Sequence, residues 1–285
     1  MKIGFIGQGW IGKNYADNFK NRGYEVVRYS LEPKYAKNKE EIKKCDIVFI
    51  AVPTPTTPKG FDAGVLVKVM ELVGKKKIAV IKSTILPGTT ESIQKQYSDI
   101  YVMHSPEFLS ERTAKEDVRW PDSHVIGIST NSSIFRSKAR MVLSVLPDVP
   151  SIICSSVEAE FIKYAHNIHG FIDVVYSNLL YDLAGKLGVE WDIVKKFASH
   201  DKYMVDRYMN PVHASGHVNR PGRGAGGHCY IKDFAAFRKL YVDKVGDKNG
   251  MAVLDSIEKK NIELLLTTNK DIDLLQDVYG KAINK

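Results

Sequence analysis

Lys2 to Ser30 reads KIGFIGQGWIGKNYADNFKNRGYEVVRYS, and this stretch decides the fold. Lys2 to Ile6 is a short apolar run, Gly7-Gln8-Gly9-Trp10-Ile11-Gly12 follows, and a helical pattern continues through Arg22. A strand, a glycine turn and a helix in that order turn a bare GxGxxG pattern into a dinucleotide site. Gly7 makes the turn, Gly9 lets a pyrophosphate come close, and Gly12 lets the helix pack on the strand. The pyrophosphate would sit over Trp10 and Ile11 at the helix N-terminus, where N–H groups and aligned peptide dipoles attract anions. One part departs from the pattern. The second strand, Glu25 to Tyr29, leads to Ser30 where an acidic ribose ligand is expected, with Glu32 two residues on. Arg28 beside a missing acid can accommodate a 2′-phosphate, so NADP stays open alongside NAD.

Outward from there, β-rich runs alternate with helical stretches. Strands are expected at Lys2 to Ile6, Glu25 to Tyr29, Asp46 to Val52, Lys77 to Lys82, Ile100 to Met103 and Val125 to Ile128. Continuous apolar runs such as Ile47-Val48-Phe49-Ile50-Ala51-Val52 suit parallel strands buried on both faces. From Val157 to Leu187 a long helical pattern without proline takes over, and further helical stretches follow a loop from Asn210 to Gly227. The expected class is α/β. An N-terminal Rossmann doubly wound parallel sheet spans 1–150, with ligands at the C-terminal strand ends, and an all-helical domain with a long central helix spans 151–285.

Near the other end, PGRGAGGHCYIKD runs from Pro221 to Asp233. It sets Cys229 directly behind Gly222, Gly224, Gly226 and Gly227, with Asp233 four residues further on. If a helix starts near Cys229, the two side chains stack on one face. A helix N-terminus also favours a thiolate, and glycines let backbone approach a bulky ligand. The plain alternative is a glycine-rich turn before a helix with a small packed cysteine.

Composition agrees with a soluble enzyme. The 285 residues allow one large or two medium domains. No apolar run approaches the roughly 18 to 20 residues of a membrane span, and no signal peptide is expected ahead of the first strand. Cys45, Cys154 and Cys229 lie far apart, without metal spacing or an even disulfide count, which fits the cytoplasm. A net charge of +8 suits anionic ligands. Aromatic and basic residues do not interleave as nucleic-acid binding requires. His166 and His169 share the long helix with Lys163 and Asn167, and core or surface roles rather than a metal are expected for them.

Five landmarks in order now carry a resemblance: Gly7 to Gly12, Val52-Pro53-Thr54-Pro55, Lys82-Ser83-Thr84-Ile85-Leu86-Pro87-Gly88-Thr89-Thr90, Ser105-Pro106-Glu107-Phe108-Leu109, and the Cys229 loop. From Met1 to about Asp233 the chain resembles the UDP-glucose/GDP-mannose dehydrogenase family. That resemblance implies oxidation of a nucleotide sugar's C6 alcohol to a carboxylate by two hydride transfers to NAD. It implies Cys229 as the nucleophile that holds the aldehyde as a thiohemiacetal and then as a thioester. Lys163 and Asn167, four apart on the long helix, would stabilise the substrate oxyanion. Glu107 would handle protons at the water step, with Asp233 near the nucleophile and Thr84 ordering the water. Val52, Pro53, Thr54 and Thr84 would join Ser30 and the glycine turn around the cofactor. Phe108, Leu109, Ser110 and Glu111 would line the sugar pocket with Lys163, Asn167 and the glycine loop. The family's long helix implies a homodimer.

Each residue also has a plain reading: a Lys/Asn pair as a solvated helix face, Glu107 as a loop carboxylate, Thr84 as a strand-end hydroxyl. His228 could tune the thiolate, and Cys45 and Cys154 look structural. The largest departure lies after Asp233. Family members continue into a second Rossmann-like domain that binds the substrate's nucleotide, whereas here helical patterns at Met251 to Thr267 and Ile272 to Asn284 close the sequence. A smaller substrate, a partner chain, or the chain's own helices completing the pocket would each answer this. UDP-glucose is the default substrate, with a UDP-N-acetylhexosamine or GDP-mannose as variants. The competing readings are a single-step β-hydroxyacid dehydrogenase, which needs no cysteine, and a non-catalytic sugar-nucleotide binding protein.

Overall fold

The structure is a computed structural model that describes residues 1–284; Lys285, the end of the expected helical domain, lies outside them. Two compact units divide the chain: Met1–Thr54 with Asp62–Lys163, and Pro55–Phe61 with Tyr164–Lys285.

The first unit opens with β1 (Lys2–Ile6), α1 (Trp10–Asn21) and β2 (Glu25–Tyr29), as the opening stretch predicts. Short helices α2 (Pro33–Ala36) and α3 (Lys39–Ile42) lead to β3 (Ile47–Ile50). Next comes β4 (Thr56–Thr57) with β5 (Gly60–Phe61), a small antiparallel hairpin. The chain continues through α4 (Gly64–Val69), β6 (Ile78–Ile81), α5 (Thr89–Gln96), β7 (Tyr101–His104), α6 (Ala114–Arg119), β8 (His124–Ile128), α7 (Ser133–Leu143) and β9 (Ser151–Ser155). Seven strands form one sheet in the order β2-β1-β3-β6-β7-β8-β9. The order reverses beside β1, which places the glycine turn at the topological switch point where such sheets bind ligands.

The large sheet is parallel, as expected, apart from one pair. β7 and β8 run antiparallel, with Met103 opposite Ile128. β8 and β9 then pair parallel through the α7 crossover. β9 itself was not among the expected strands. Its residues are exposed or half-buried along an edge, so Ile152-Ile153-Cys154 shows neither alternation nor a long buried run.

β3 and β6 are buried at every position, as strands covered on both faces must be. The core beneath α1 is aromatic. Phe5 stacks on Phe49 with centroids 5.3 Å apart, and Phe19 meets both rings at 5.4 Å. Truncating one such ring to alanine costs about 3 kcal/mol or more.

The second unit is helical, as expected, except that it takes in the β4–β5 hairpin. Its elements are α8 (Ser156–Leu187) from Tyr164 onward, α9 (Trp191–Ala198), α10 (Gly227–Lys244), α11 (Lys248–Thr267) and α12 (Ile272–Tyr279). Phe171 of α8 stacks on Phe234 of α10 at 4.0 Å, with Ile168, Val174, Val175 and Leu254 around them. Ile231, Leu265, Leu275 and Val278 join α10, α11 and α12 in a second cluster, and the hairpin packs against α10 and α12. The sequence expectation divided the chain at residue 150. In the structure β9 and the first turns of α8, to Lys163, stay with the sheet because β9 pairs with β8 and Ala159 packs on Gly127.

Candidate active site

The glycine turn is built by close approach. Gly7 has φ +90, and a Cβ there would lie 2.0 Å from the Ala51 carbonyl oxygen. A Cβ on Gly12 would lie 2.0 Å from the Gly7 carbonyl oxygen. Gly9 differs, since a Cβ there would meet nothing within 4 Å. Gly9 is the N-cap of α1, and no side chain caps the helix. Two glycines thus close the turn and the third leaves room above an uncapped helix N-terminus, a shape that fits a pyrophosphate.

Arg28, considered as a 2′-phosphate ligand, is held by Asp17 of α1 at 2.6 Å. Ser30 Oγ accepts from the Glu32 N–H at 3.3 Å. Trp10 is exposed, and Ile11 packs against the aromatic core. Thr54 Oγ1 donates to the Thr84 carbonyl at 2.7 Å. Ser83 Oγ accepts from the Val52 N–H at 3.0 Å and donates to the Val52 carbonyl at 2.7 Å, which ties the chain after β3 to the chain after β6. The segments carrying Val52, Pro53, Thr54 and Thr84 are therefore fixed together at the C-terminal strand ends.

Glu107, just past β7, lies among four donors. Tyr15 Oη donates to Oε2 at 2.5 Å, Lys82 Nζ donates to the same oxygen at 3.0 Å, and the Phe108 and Leu109 N–H groups donate to Oε1 at 3.0 and 3.2 Å. Burial pushes the carboxyl up, but Lys82, Tyr15 and the Phe108 N–H outweigh it and hold Glu107 below the ordinary glutamate range. Burial, followed by the Glu107 charge, pushes the Tyr15 phenol well above its usual value. The Lys163 ammonium stands 5.3 Å from the Phe108 ring centroid. Ser110 N–H donates to Asp117 at 2.8 Å, and Glu111 is half-buried. His104 is fully buried, and burial pulls it down to about 3, so it is neutral.

In the second unit, Cys229 is exposed in the first turn of α10, and Asp233 lies one turn on, 1% exposed. Asn167 Nδ2 donates to Asp233 Oδ2 at 2.6 Å, and Lys232 Nζ pairs with Oδ1 at 2.5 Å. Burial pulls Lys232 down, but Asp233 and Cys229 outweigh it and raise its value, so the ammonium persists. Cys45 and Cys154 contrast with this setting: burial pushes both thiols up to about 11. At the loop glycines, the space a side chain would take is filled by the chain itself. Gly222 faces Lys270 and Thr268, Gly224 faces Asn261 and Leu264, and Gly226 faces Asp271, while Gly227 has φ +79. His228 Nε2 meets His217 Nδ1 at 3.0 Å, and His217 Nε2 meets Asp273 at 2.6 Å.

Three residues gained no role from the sequence: Tyr15, Lys82 and Lys232. Lys82 and Lys232 stand inside the quoted landmarks, so their place was visible and their partners were not. Tyr15 pairs with Glu107 across 92 positions, a contact that no local pattern signals. Among the described residues no group of three or more His, Cys, Asp or Glu could hold a metal ion, and no helix is long and apolar enough to cross a membrane.

Residues 31–143 match the NAD binding domain of the UDP-glucose/GDP-mannose dehydrogenase family, and residues 157–262 match its central domain. The chain is similar to UDP-glucose 6-dehydrogenase of Rickettsia conorii, at 30% identity over 231 residues, covering 76% of this chain and 50% of the relative. It spans about half the length of the curated relatives it matches. A UDP-glucose dehydrogenase from Pyrobaculum islandicum superposes with a TM-score of 0.76 at 25% identity, covering 93% of this chain and 70% of that one. A 3-hydroxyisobutyrate dehydrogenase from Salmonella typhimurium shares the fold, with a TM-score of 0.66 at 12% identity, covering 97% of this chain and 99% of that one.

Proposed function

Since the chain belongs to the UDP-glucose/GDP-mannose dehydrogenase family, we propose that it is an NAD-dependent nucleotide-sugar 6-dehydrogenase. UDP-glucose is the first substrate to test, followed by a UDP-N-acetylhexosamine and GDP-mannose. The glycine turn, Ser30, Val52, Pro53, Thr54 and Thr84 would hold the cofactor. Arg28 is committed to Asp17, which favours NAD over NADP. NAD, when bound, accepts the hydride at each of the two oxidations.

The chain's own residues do the rest. The Cys229 sulfur adds to the C6 aldehyde, and the carbonyl oxygen becomes the thiohemiacetal oxygen. Hydride loss from C6 then leaves a thioester, and water cleaves it to release the carboxylate and restore the thiol. Lys163 and Asn167 stabilise negative charge on the reacting oxygen. Asp233 orients the Asn167 amide and the Lys232 ammonium that it already binds. Glu107, kept ionised, accepts a proton from the attacking water once Tyr15 or Lys82 releases Oε2, and Thr84 orders that water. Phe108, Leu109, Ser110 and Glu111 line the sugar.

The observation that carries this reading is the arrangement on α10. Cys229 stands in its first turn, one turn before a buried Asp233 that is bonded to Asn167 and Lys232. A packed structural cysteine would not explain an exposed thiol beside a persistent ammonium.

Reduced cofactor formed per limiting UDP-glucose, with wild type and Cys229→Ser side by side, tests it. Two equivalents, lost in the mutant, are expected. One equivalent surviving the mutation would replace the thioester route with a single-step alcohol oxidation. No turnover with any nucleotide sugar would sink the proposal for this chain acting by itself. Cytoplasmic operation is part of the same reading, in keeping with an odd number of widely spaced cysteines at 45, 154 and 229.

A further inference from the structure

The backbone from Gly222 to Gly227 runs along a row of side chains from α11 and from the turn into α12. Thr268 Oγ1 accepts from the Arg223 N–H at 2.9 Å. Asn261 takes both groups of Ala225, accepting from its N–H at 2.6 Å and donating to its carbonyl at 3.0 Å. Lys270 Nζ donates to the Gly224 carbonyl at 2.8 Å and to the Gly222 carbonyl at 3.4 Å. Asp271 Oδ2 accepts from the Gly227 N–H at 2.8 Å, and its Oδ1 accepts from Ser215 Oγ at 2.9 Å. The glycines follow from this packing, since a Cβ on Gly226 would lie 2.1 Å from Asp271 Oδ2 and one on Gly222 would lie 2.7 Å from Lys270 Cβ.

Two members of the row are expensive to keep. Lys270 is 0% exposed and Asp271 is 2% exposed. Asp271 and nearby Asn269 sit at φ +51 and +52, the left-handed region that Asn and Asp enter more readily than other residues with side chains. Two ionisable groups stay buried without solvent only where surrounding contacts satisfy them. Here those contacts go to the segment that leads into Cys229. Gly226 and Gly227, having no side chains, would otherwise sample many conformations. The bond from Gly227 N–H to Asp271 fixes how α10 begins, and hence where the Cys229 side chain leaves the helix.

We propose that Lys270 and Asp271 are positioning residues for Cys229, holding Gly222 to Gly227 in the conformation that opens α10 with the sulfur in its first turn. This rests on the reading of Cys229 as the nucleophile. A titration is built into the contact. Burial pulls Lys270 down to about 8, against which Asp271 raises it. Its third bond runs to His213 Nε2 at 3.1 Å. His213 is itself pulled down to about 4 by burial, and its Nδ1 donates to the Asn210 carbonyl at 2.7 Å, so it accepts from Lys270 at neutral pH. The other charged groups nearby are engaged elsewhere: Arg223 with Asp182 of α8, and Asp273 with His217. α11 and its C-cap contribute the uncharged Asn261 and Thr268. Above about pH 8 Lys270 therefore has one proton fewer for three acceptors, and the segment loosens.

The test reads hydrogen exchange of the amides from Gly222 to Tyr230, together with iodoacetamide labelling of Cys229 against Cys45 and Cys154. Wild type is compared with Asp271→Ala, Asp271→Asn and Lys270→Met. Loop amides should exchange about tenfold faster in Asp271→Ala, with a change of similar size in Cys229 labelling. Asp271→Asn keeps an acceptor oxygen and should stay within about threefold of wild type. Amides of β1 and β3 should be unchanged throughout. In wild type, loop exchange corrected for the intrinsic rate should step up as pH passes about 8, and Lys270→Met should lack the step. Unchanged loop amides in Asp271→Ala, an equal rise in β1 and β3, or no step in wild type would each overturn the proposal. Should Asp271→Ala fail to fold, Asp271→Asn and the wild-type pH step decide. Neither readout depends on turnover, so a failed dehydrogenase assay leaves this test standing.

Discussion

Glu107 spends both carboxylate oxygens on Tyr15, Lys82 and two backbone N–H groups, and this saturation says how the residue is used. A side chain held so is ionised and immobile, and the bonds to Phe108 and Leu109 make it the anchor of the segment assigned to the sugar. The Lys82 and Glu107 side chains are 2% and 11% exposed, so removing one partner strands a buried charge. Lys82→Met should cost about 3 kcal/mol or more at neutral pH, read by chemical denaturation. The sign with pH follows from the lowered Glu107 value. Its contribution is complete above the ordinary value of 4.5 and is lost as pH falls below that through the folded value. The gap between wild type and Lys82→Met should therefore narrow in acid, and a gap that stays constant would refute the ion pair as its source. None of this was legible in the residue order. Glu107 stands out beside Pro106, but its side-chain partners come from α1 and from the residue just after β6, and only the sheet brings them together.

The β1–α1–β2 unit was readable because its signals are local: an apolar run, three glycines and a helical period lie within one crossover. The structure divides labour among those glycines, and the division can be tested. Gly12→Ala presses a Cβ onto the Gly7 carbonyl, a backbone atom that cannot step aside, and should cost about 2 kcal/mol, seen as a lower Tm. Gly9→Ala meets open space at φ −73, which alanine adopts freely, so Tm should hold while calorimetry shows NAD binding weakened. A Gly9→Ala chain that binds NAD normally would remove the turn from the cofactor site. β9 and the β4–β5 hairpin were not legible. β9 is an edge strand whose identity depends on β8, and two-residue strands are too short for any period to show.

At the scale of the whole molecule, α8 carries an apolar stripe that the described residues leave exposed. Tyr176, Leu179, Leu183 and Leu187 follow one another at spacings of three and four, on one helix face, at 57%, 48%, 55% and 68% exposure. A homodimer through the long helix, which the family resemblance implies, would cover that stripe. Sedimentation should show wild type as a dimer and Leu183→Glu as a monomer with an intact fold, and a monomeric wild type would refute it. The α/β class, the glycine turn, the long helix and the cysteine loop are legible in the residue order, because each is encoded by residues within a few turns of one another. The antiparallel β7–β8 pair, the Tyr15–Lys82–Glu107 cluster and the row from Asn261 to Asp271 beneath the cysteine loop emerge with the fold. Those depend on which distant segments become neighbours, and burial sets the partners of a carboxylate or an ammonium at a range that no spacing in the chain records.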